Sequence, residues 1–104
     1  MSVLLEFAMF PTDQGESVSA YVSQVIEMIR DSGIDYQLTP MGTIIETDSL
    51  AQALALVEAA YEILEQAGCE RVYSSLKLDI RKGKQHRMQG KVASVREKIG
   101  EVRS

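Results

Sequence analysis

The chain alternates between short apolar runs with a two-residue repeat and longer stretches with a helical repeat. Val3 to Phe10 is mostly apolar and β-forming, carries one charge at Glu6 and stops at Pro11, the pattern of a central strand. Asp13, Glu16 and Ser17 supply helix-start residues, and Val18, Val22, Val25 and Ile29 recur at helical spacing as far as Asp31-Ser32-Gly33. Gly33 suits the left-handed residue that ends a helix. Ile34, Tyr36 and Leu38 alternate with Asp35 and Gln37, which predicts a strand with one buried face, and Pro40-Met41-Gly42 predicts a turn.

Thr43 to Thr47 is a second β-branched run, and Ser49 followed by Gln52 has the spacing of a capping box. Leu50, Ala53, Leu54, Val57, Ala60, Tyr61, Leu64 and Ala67 mark the expected inner face of the helix that follows, with Gly68 at its end. Val72, Ser74, Leu76, Leu78 and Ile80 then alternate with Tyr73, Ser75, Lys77 and Asp79, the longest strand signal in the chain. After the polar connection Arg81-Lys82-Gly83-Lys84, an apolar stripe of Met88, Val92, Val95, Ile99 and Val102 predicts a final helix from about Arg87.

The predicted order is βαββαβ plus a C-terminal helix. Two right-handed βαβ crossovers joined by a tight hairpin give a four-stranded antiparallel sheet with two helices on one face, a ferredoxin-like α+β sandwich. Residues 1–104 are read as a single domain. Alternation puts Val3, Leu5, Phe7 and Met9 under the helices, and Leu4, Glu6, Ala8 and Phe10 on the second face. That second face should also carry Glu46, Ser75, Lys77 and Asp79 beside Ile44 and Tyr73. Such a surface is too apolar to stay wet and too charged to form a dry core, so a partner subunit or a polar ligand is expected to cover it.

Composition narrows the function. Eleven basic against fifteen acidic residues give a net charge of -4, which opposes binding to nucleic acid or anionic membranes. Met1 to Phe10 contains Glu6 and lacks a basic leader, so it reads as mature sequence rather than a signal peptide. No run approaches a membrane-spanning length. The one cysteine, Cys69, has no intrachain partner, which fits a reducing cytoplasm and a buried structural thiol.

Most catalytic chemistry lacks its residues. His86 is the only histidine and sits in a polar run far from Cys69, so no metal motif forms and an exposed His86 is expected. Ser74 and Ser75 lack a nucleophile elbow, and the glycines form neither a Walker loop nor a dinucleotide fingerprint. An RNA-recognition sheet would carry a stacking-aromatic motif that this chain lacks. The basic series Arg81, Lys82, Lys84, Arg87 and Lys91 could attract an anion, but reads more simply as a solvated loop and helix start. Glu6, Glu46 and Asp79 form an acidic set suited to an exocyclic amine or a cation, with Thr43, Ser74 or Ser75 adding neutral hydrogen bonds. Pairing with Lys77 or arginine across a subunit interface is the structural alternative.

Tyr36-Gln-Leu-Thr-Pro-Met-Gly-Thr-Ile-Ile-Glu46 resembles the small thiamine-binding protein family. Pro11, Tyr21-Val22, Ser32-Gly33, Gly68 before Arg71-Val72, Lys77-Leu-Asp-Ile-Arg81 and Lys91-Val92 follow in the family's order. The resemblance implies a ferredoxin-like protomer, assembly into dimers or tetramers, and binding of thiamine or its hydroxymethylpyrimidine portion without thiamine-dependent catalysis. It assigns ligand contacts to Thr43 and Glu46, and from the later strand to Lys77, Asp79 and Arg81. Strand geometry and ligand chemistry add Glu6 and Ser74. The expected function is non-enzymatic binding for storage, delivery or sensing, with no metal or catalytic cofactor. The alternative from another class is an oligomeric regulatory or structural module that binds a protein partner.

Overall fold

A computed structural model describes every residue except Ser17, so the helix-start role expected of Ser17 lies outside the described residues. The elements are β1 (Ser2–Pro11), α1 (Ser19–Asp31), β2 (Asp35–Thr39), β3 (Gly42–Thr47), α2 (Leu50–Gln66), β4 (Val72–Arg81) and α3 (Arg87–Ile99). The strands form one antiparallel sheet in the order β2-β3-β1-β4, the ferredoxin-like arrangement the element order demands.

Strand alternation produces the core. Val3, Leu5, Phe7 and Met9 of β1 are buried with Val25 and Ile29 of α1, Ile45 of β3, and Ala53, Leu56, Ala60 and Leu64 of α2. These side chains fill the layer between the sheet and the two helices, with Cys69 buried at the margin. Leu4, Ala8 and Phe10 face the other way and are half-buried, and Glu6 is exposed.

Local signals were realised with some changes of role. The Ser49 side chain caps α2 by accepting from Gln52 N at 3.2 Å, while Gln52 Oε1 accepts from Asp48 N at 3.0 Å, one residue before the expected capping-box partner. Asp13 does not cap α1, which begins six residues later; its carboxylate accepts from Glu70 N at 2.8 Å and ties the exit of β1 to the entry of β4 at one end of the sheet.

The inner face of α2 also shifts. Ala53, Leu56, Ala60 and Leu64 are its buried residues, while Leu50, Leu54 and Tyr61 are exposed. The apolar sector of α2 is wider than one flat sheet can cover, so only its central stripe is removed from water. A larger departure concerns α3, whose expected stripe exists but contains no buried residue. Ile99 is 73% exposed.

Leu5 is fully buried at the centre of β1, opposite Ile45 on one side and Leu78 on the other. Leu5→Ala is expected to destabilise the fold by about 3 kcal/mol through lost burial and the cavity left behind. Urea unfolding of the two proteins measures the difference; a loss below about 1 kcal/mol would mean that β1 does not organise the core.

Candidate functional site

Strand register divides the seven residues expected at the ligand between two faces. Thr43 lies opposite Phe7, and Ser74 opposite Met9, so both share the helix-facing side. Glu6 pairs with Lys77, Leu4 with both Glu46 and Asp79, and Ser2 with Arg81, which gathers Glu6, Glu46, Lys77, Asp79 and Arg81 on the open side. Thr43 and Glu46 are three positions apart on one strand, and an odd separation sends side chains to opposite faces.

On the open side, the first turn of α3 lands on the acidic residues. Glu46 accepts from the Ser2 hydroxyl at 2.7 Å, from Arg87 N at 2.9 Å and from Met88 N at 3.3 Å. A carboxylate at a helix N-terminus satisfies free amides and complements the helix dipole. Arg87 folds back over the sheet: its Nε donates to Ser2 Oγ at 2.9 Å, one Nη donates to the carbonyls of Ser2 and Asp79, and the other pairs with the Asp79 carboxylate at 3.1 Å. The Arg87 side chain is only 12% exposed. The expectation of a solvated Arg87 is therefore corrected, because its guanidinium makes four contacts to acceptors on β1 and β4. Lys77 and Glu6 stand 3.8 Å apart in the open, a pair worth little, and Arg81 and His86 are exposed.

Burial pushes the Glu46 carboxyl up, but the hydrogen bonds from Ser2, Arg87 and Met88, with the Arg87 charge, outweigh it and hold the group below its ordinary value of 4.5. Nothing in sequence spacing marked Arg87 for this role. His86, which precedes the helix, has φ 55°, and this left-handed residue sets the angle at which the chain enters α3.

On the helix side, a cleft of about 340 Å³ opens between α1 and the β2–β3 hairpin. Val22, Val25 and Ile26 form one wall, Phe7 and Met9 the floor, and Leu38 to Thr43 the lip. The turn is fixed by Thr39, whose hydroxyl donates to Gly42 O at 2.8 Å and accepts from Gly42 N at 3.1 Å. Gly42 is required here because a Cβ would lie 3.0 Å from the carbonyl oxygen of Phe7. A largely apolar cleft with a few fixed polar groups is the usual form of a small-molecule site. Of the seven expected contacts, only Thr43 lines it. The other lining residues escaped sequence reasoning, although the inward parity of Leu38, opposite Thr43, was a signal for the lip. A second hollow of about 470 Å³ lies between β2 and α3, lined by Tyr36, Gln37, Met88, Val92 and Arg96 among others.

The fold and cleft define a ferredoxin-like α+β protein with a ring-sized recess beside the hairpin. Residues 5–96 match the family model described as thiamine-binding protein, and the chain belongs to that family. It is 40% identical over 95 residues to a UPF0045 protein of Mycobacterium bovis, covering 91% of this chain and 92% of that one. The structure is similar to that of a hypothetical protein of Methanocaldococcus jannaschii, with a TM-score of 0.77, 33% identity and coverage of 92% and 97% of the two chains. A Thermotoga maritima protein provisionally named for thiamine biosynthesis or salvage shares the fold, with a TM-score of 0.78, 22% identity and coverage of 92% and 100%.

The hydrogen bonds to Glu46 predict a pH-dependent seat for α3. Because the folded value lies below 4.5, the stabilisation is complete above that pH and is lost as the pH falls through the lower folded value. Amide NMR of Arg87 and Met88 should report release of the first turn on acidification below the ordinary carboxyl value of 4.5. Glu46→Gln should weaken the seat by about 1 kcal/mol at neutral pH and remove this acid transition; an unchanged transition in that variant would assign it to another group.

Proposed function

We propose that the chain reversibly binds thiamine or its hydroxymethylpyrimidine portion without a chemical step, in a storage, delivery or sensing role. The carrying observation is the apolar cleft whose lip is Pro40-Met41-Gly42-Thr43, the segment on which the family resemblance is most specific. Its volume suits one substituted aromatic ring, and Thr43, 4% exposed, brings a hydroxyl to the lip of a recess otherwise built largely from apolar side chains. A pyrimidine buries its faces against such walls and spends its exocyclic groups on a hydroxyl or a backbone amide.

Ser74 lies across Met9 from the cleft and is a contact for a ligand that extends past the ring. Glu46 and Asp79 act through α3 in this reading, while Glu6, Lys77 and Arg81 remain available on the open face for a partner copy or a second part of the ligand. Self-association as a dimer or tetramer belongs to the same proposal; the exposed stripe of α3 favours it.

Phosphorylated forms should bind less well, because no cation lines the cleft and the free amides of the α3 N-terminus already face Glu46. Calorimetry at fixed salt and magnesium should rank hydroxymethylpyrimidine and thiamine above thiamine diphosphate. Thr43→Val should weaken the pyrimidine by about 1 kcal/mol with little change in melting temperature. Silence from all three compounds would redirect the function toward the protein-interaction class, and a fully active Thr43→Val would move the ring out of the cleft.

A further inference from the structure

β1 keeps β4 beside it over its whole length, from Ser2↔Arg81 to Pro11↔Val72. Its pairing with β3 stops earlier, at Phe7↔Thr43, because β3 begins at Gly42. Carried two residues further, that ladder would set Met9 against Met41; the hairpin turn takes Met41 away instead and leaves it 87% exposed.

In an antiparallel ladder each residue aims its N–H and C=O at the same neighbouring strand, and the next residue aims at the other. Thr12 N donates to Arg71 O at 2.9 Å, one step beyond the β1–β4 register, so the even-numbered residues of β1 address β4. The odd-numbered residues address β3, which is why a Cβ on Gly42 would meet the Phe7 carbonyl oxygen at 3.0 Å. Met9 therefore aims both groups at the point where β3 has already turned away. Among the described residues neither group has a partner, although Met9 is only 7% exposed. An open main-chain pair at such a depth is costly unless another molecule fills it. Ala8 and Phe10 line the cleft together with Met9 while their side chains belong to the open face, so the cleft reaches the main-chain edge of β1. The Thr43 hydroxyl also bonds to no described residue. Since every sealed side-chain polar atom of the described residues has a partner, that hydroxyl opens on the cleft.

We infer that the N–H and C=O of Met9 read the amidine edge of a heteroaromatic ligand. A ring nitrogen accepts from Met9 N–H, and the amino group on the adjacent ring carbon donates to Met9 O. With the cleft as the ligand's site, as proposed above, this assignment adds the atoms that select the ligand. Direction along the strand makes the selection. The N–H of a residue precedes its C=O, so an amidine edge places its ring toward Phe7 and Thr43, inside the cleft. A lactam edge has its donor on the ring and its acceptor outside it, and must turn over to pair. Its ring then lies toward Phe10 and Pro11, away from the Thr43 hydroxyl. A small ring fits this edge better than a peptide strand does. Strand addition draws on alternate residues, but Phe7 is already paired with Thr43 and Pro11 has no N–H, which leaves Met9 alone. None of the described lining residues is charged, so these neutral groups decide the match.

Calorimetry of the full chain should compare hydroxymethylpyrimidine with two analogues, one with a ring oxo group in place of the amino group and one with the amino group removed. The amino compound should bind at least roughly tenfold tighter than either. On binding, the Met9 amide should move downfield in NMR spectra and exchange more slowly with solvent, by more than any other amide of β1. An unmoved Met9 amide in the complex, or an oxo analogue that binds as tightly, overturns the edge assignment. If Thr43→Val still weakens binding in that case, the cleft stands as the site and only the recognition by Met9 falls. Failure of all three compounds to bind overturns the ligand reading and this assignment together.

Discussion

β1 is hydrogen-bonded along both edges, and its odd-numbered residues from Val3 to Met9 are almost completely removed from water. Every other placement depends on that constraint. A one-residue slip would turn Val3, Leu5 and Phe7 outward and bury Glu6 without a partner, so hydrophobic burial selects the register on both sides at once. The same choice sets Thr43 over Phe7 beside the cleft and sets Glu46 and Asp79 on either side of Leu4. The apolar core thus determines where the polar chemistry can be.

The two sides of the sheet solve different physical problems. On the helix side, α1 and α2 seal most of the apolar surface and leave a recess between α1 and the β2–β3 hairpin. On the open side, charge is handled locally: Arg87 and the first amides of α3 satisfy carboxylates that would otherwise face one another across Leu4. That arrangement gives Glu46 a structural role within the protomer. The recess on the other side is left to hydroxyl groups, backbone and apolar side chains.

The fold and the faces of β1, β3 and β4 were legible in the sequence because both rest on local periodicity, whereas the buried face expected of Ile34, Tyr36 and Leu38 is not realised on the edge strand β2, where Tyr36 and Leu38 are 37% and 58% exposed. The alternation through Val3 to Phe10 and Val72 to Ile80 was enough to put Glu6, Glu46, Lys77 and Asp79 on one side, as the register bears out. The same parity rule sends Thr43 and Ser74 to the other, so a pocket joining all seven residues was not available to one protomer. Other features depend on the path of the chain rather than on its repeat. The burial of Arg87 follows from the left-handed turn at His86 and the direction in which α3 leaves it. The exposure of Leu50, Leu54 and Tyr61 follows from how much of α2 a flat sheet can cover, which helical spacing alone does not express.

α3 is seated through its first turn, where Arg87 and Met88 meet Glu46, and then runs to Ile99 without burying a residue. Mechanically, this makes it a lever. Twelve residues beyond its seat the helix tip is roughly 18 Å away, so a tilt of about 10° at Glu46 sweeps Ile99 through roughly 3 Å. A change of a few tenths of an ångström in how Ser2, Glu46 and Arg87 share their hydrogen bonds is magnified along that arm, and whatever meets its far end would register a displacement much larger than the one that caused it.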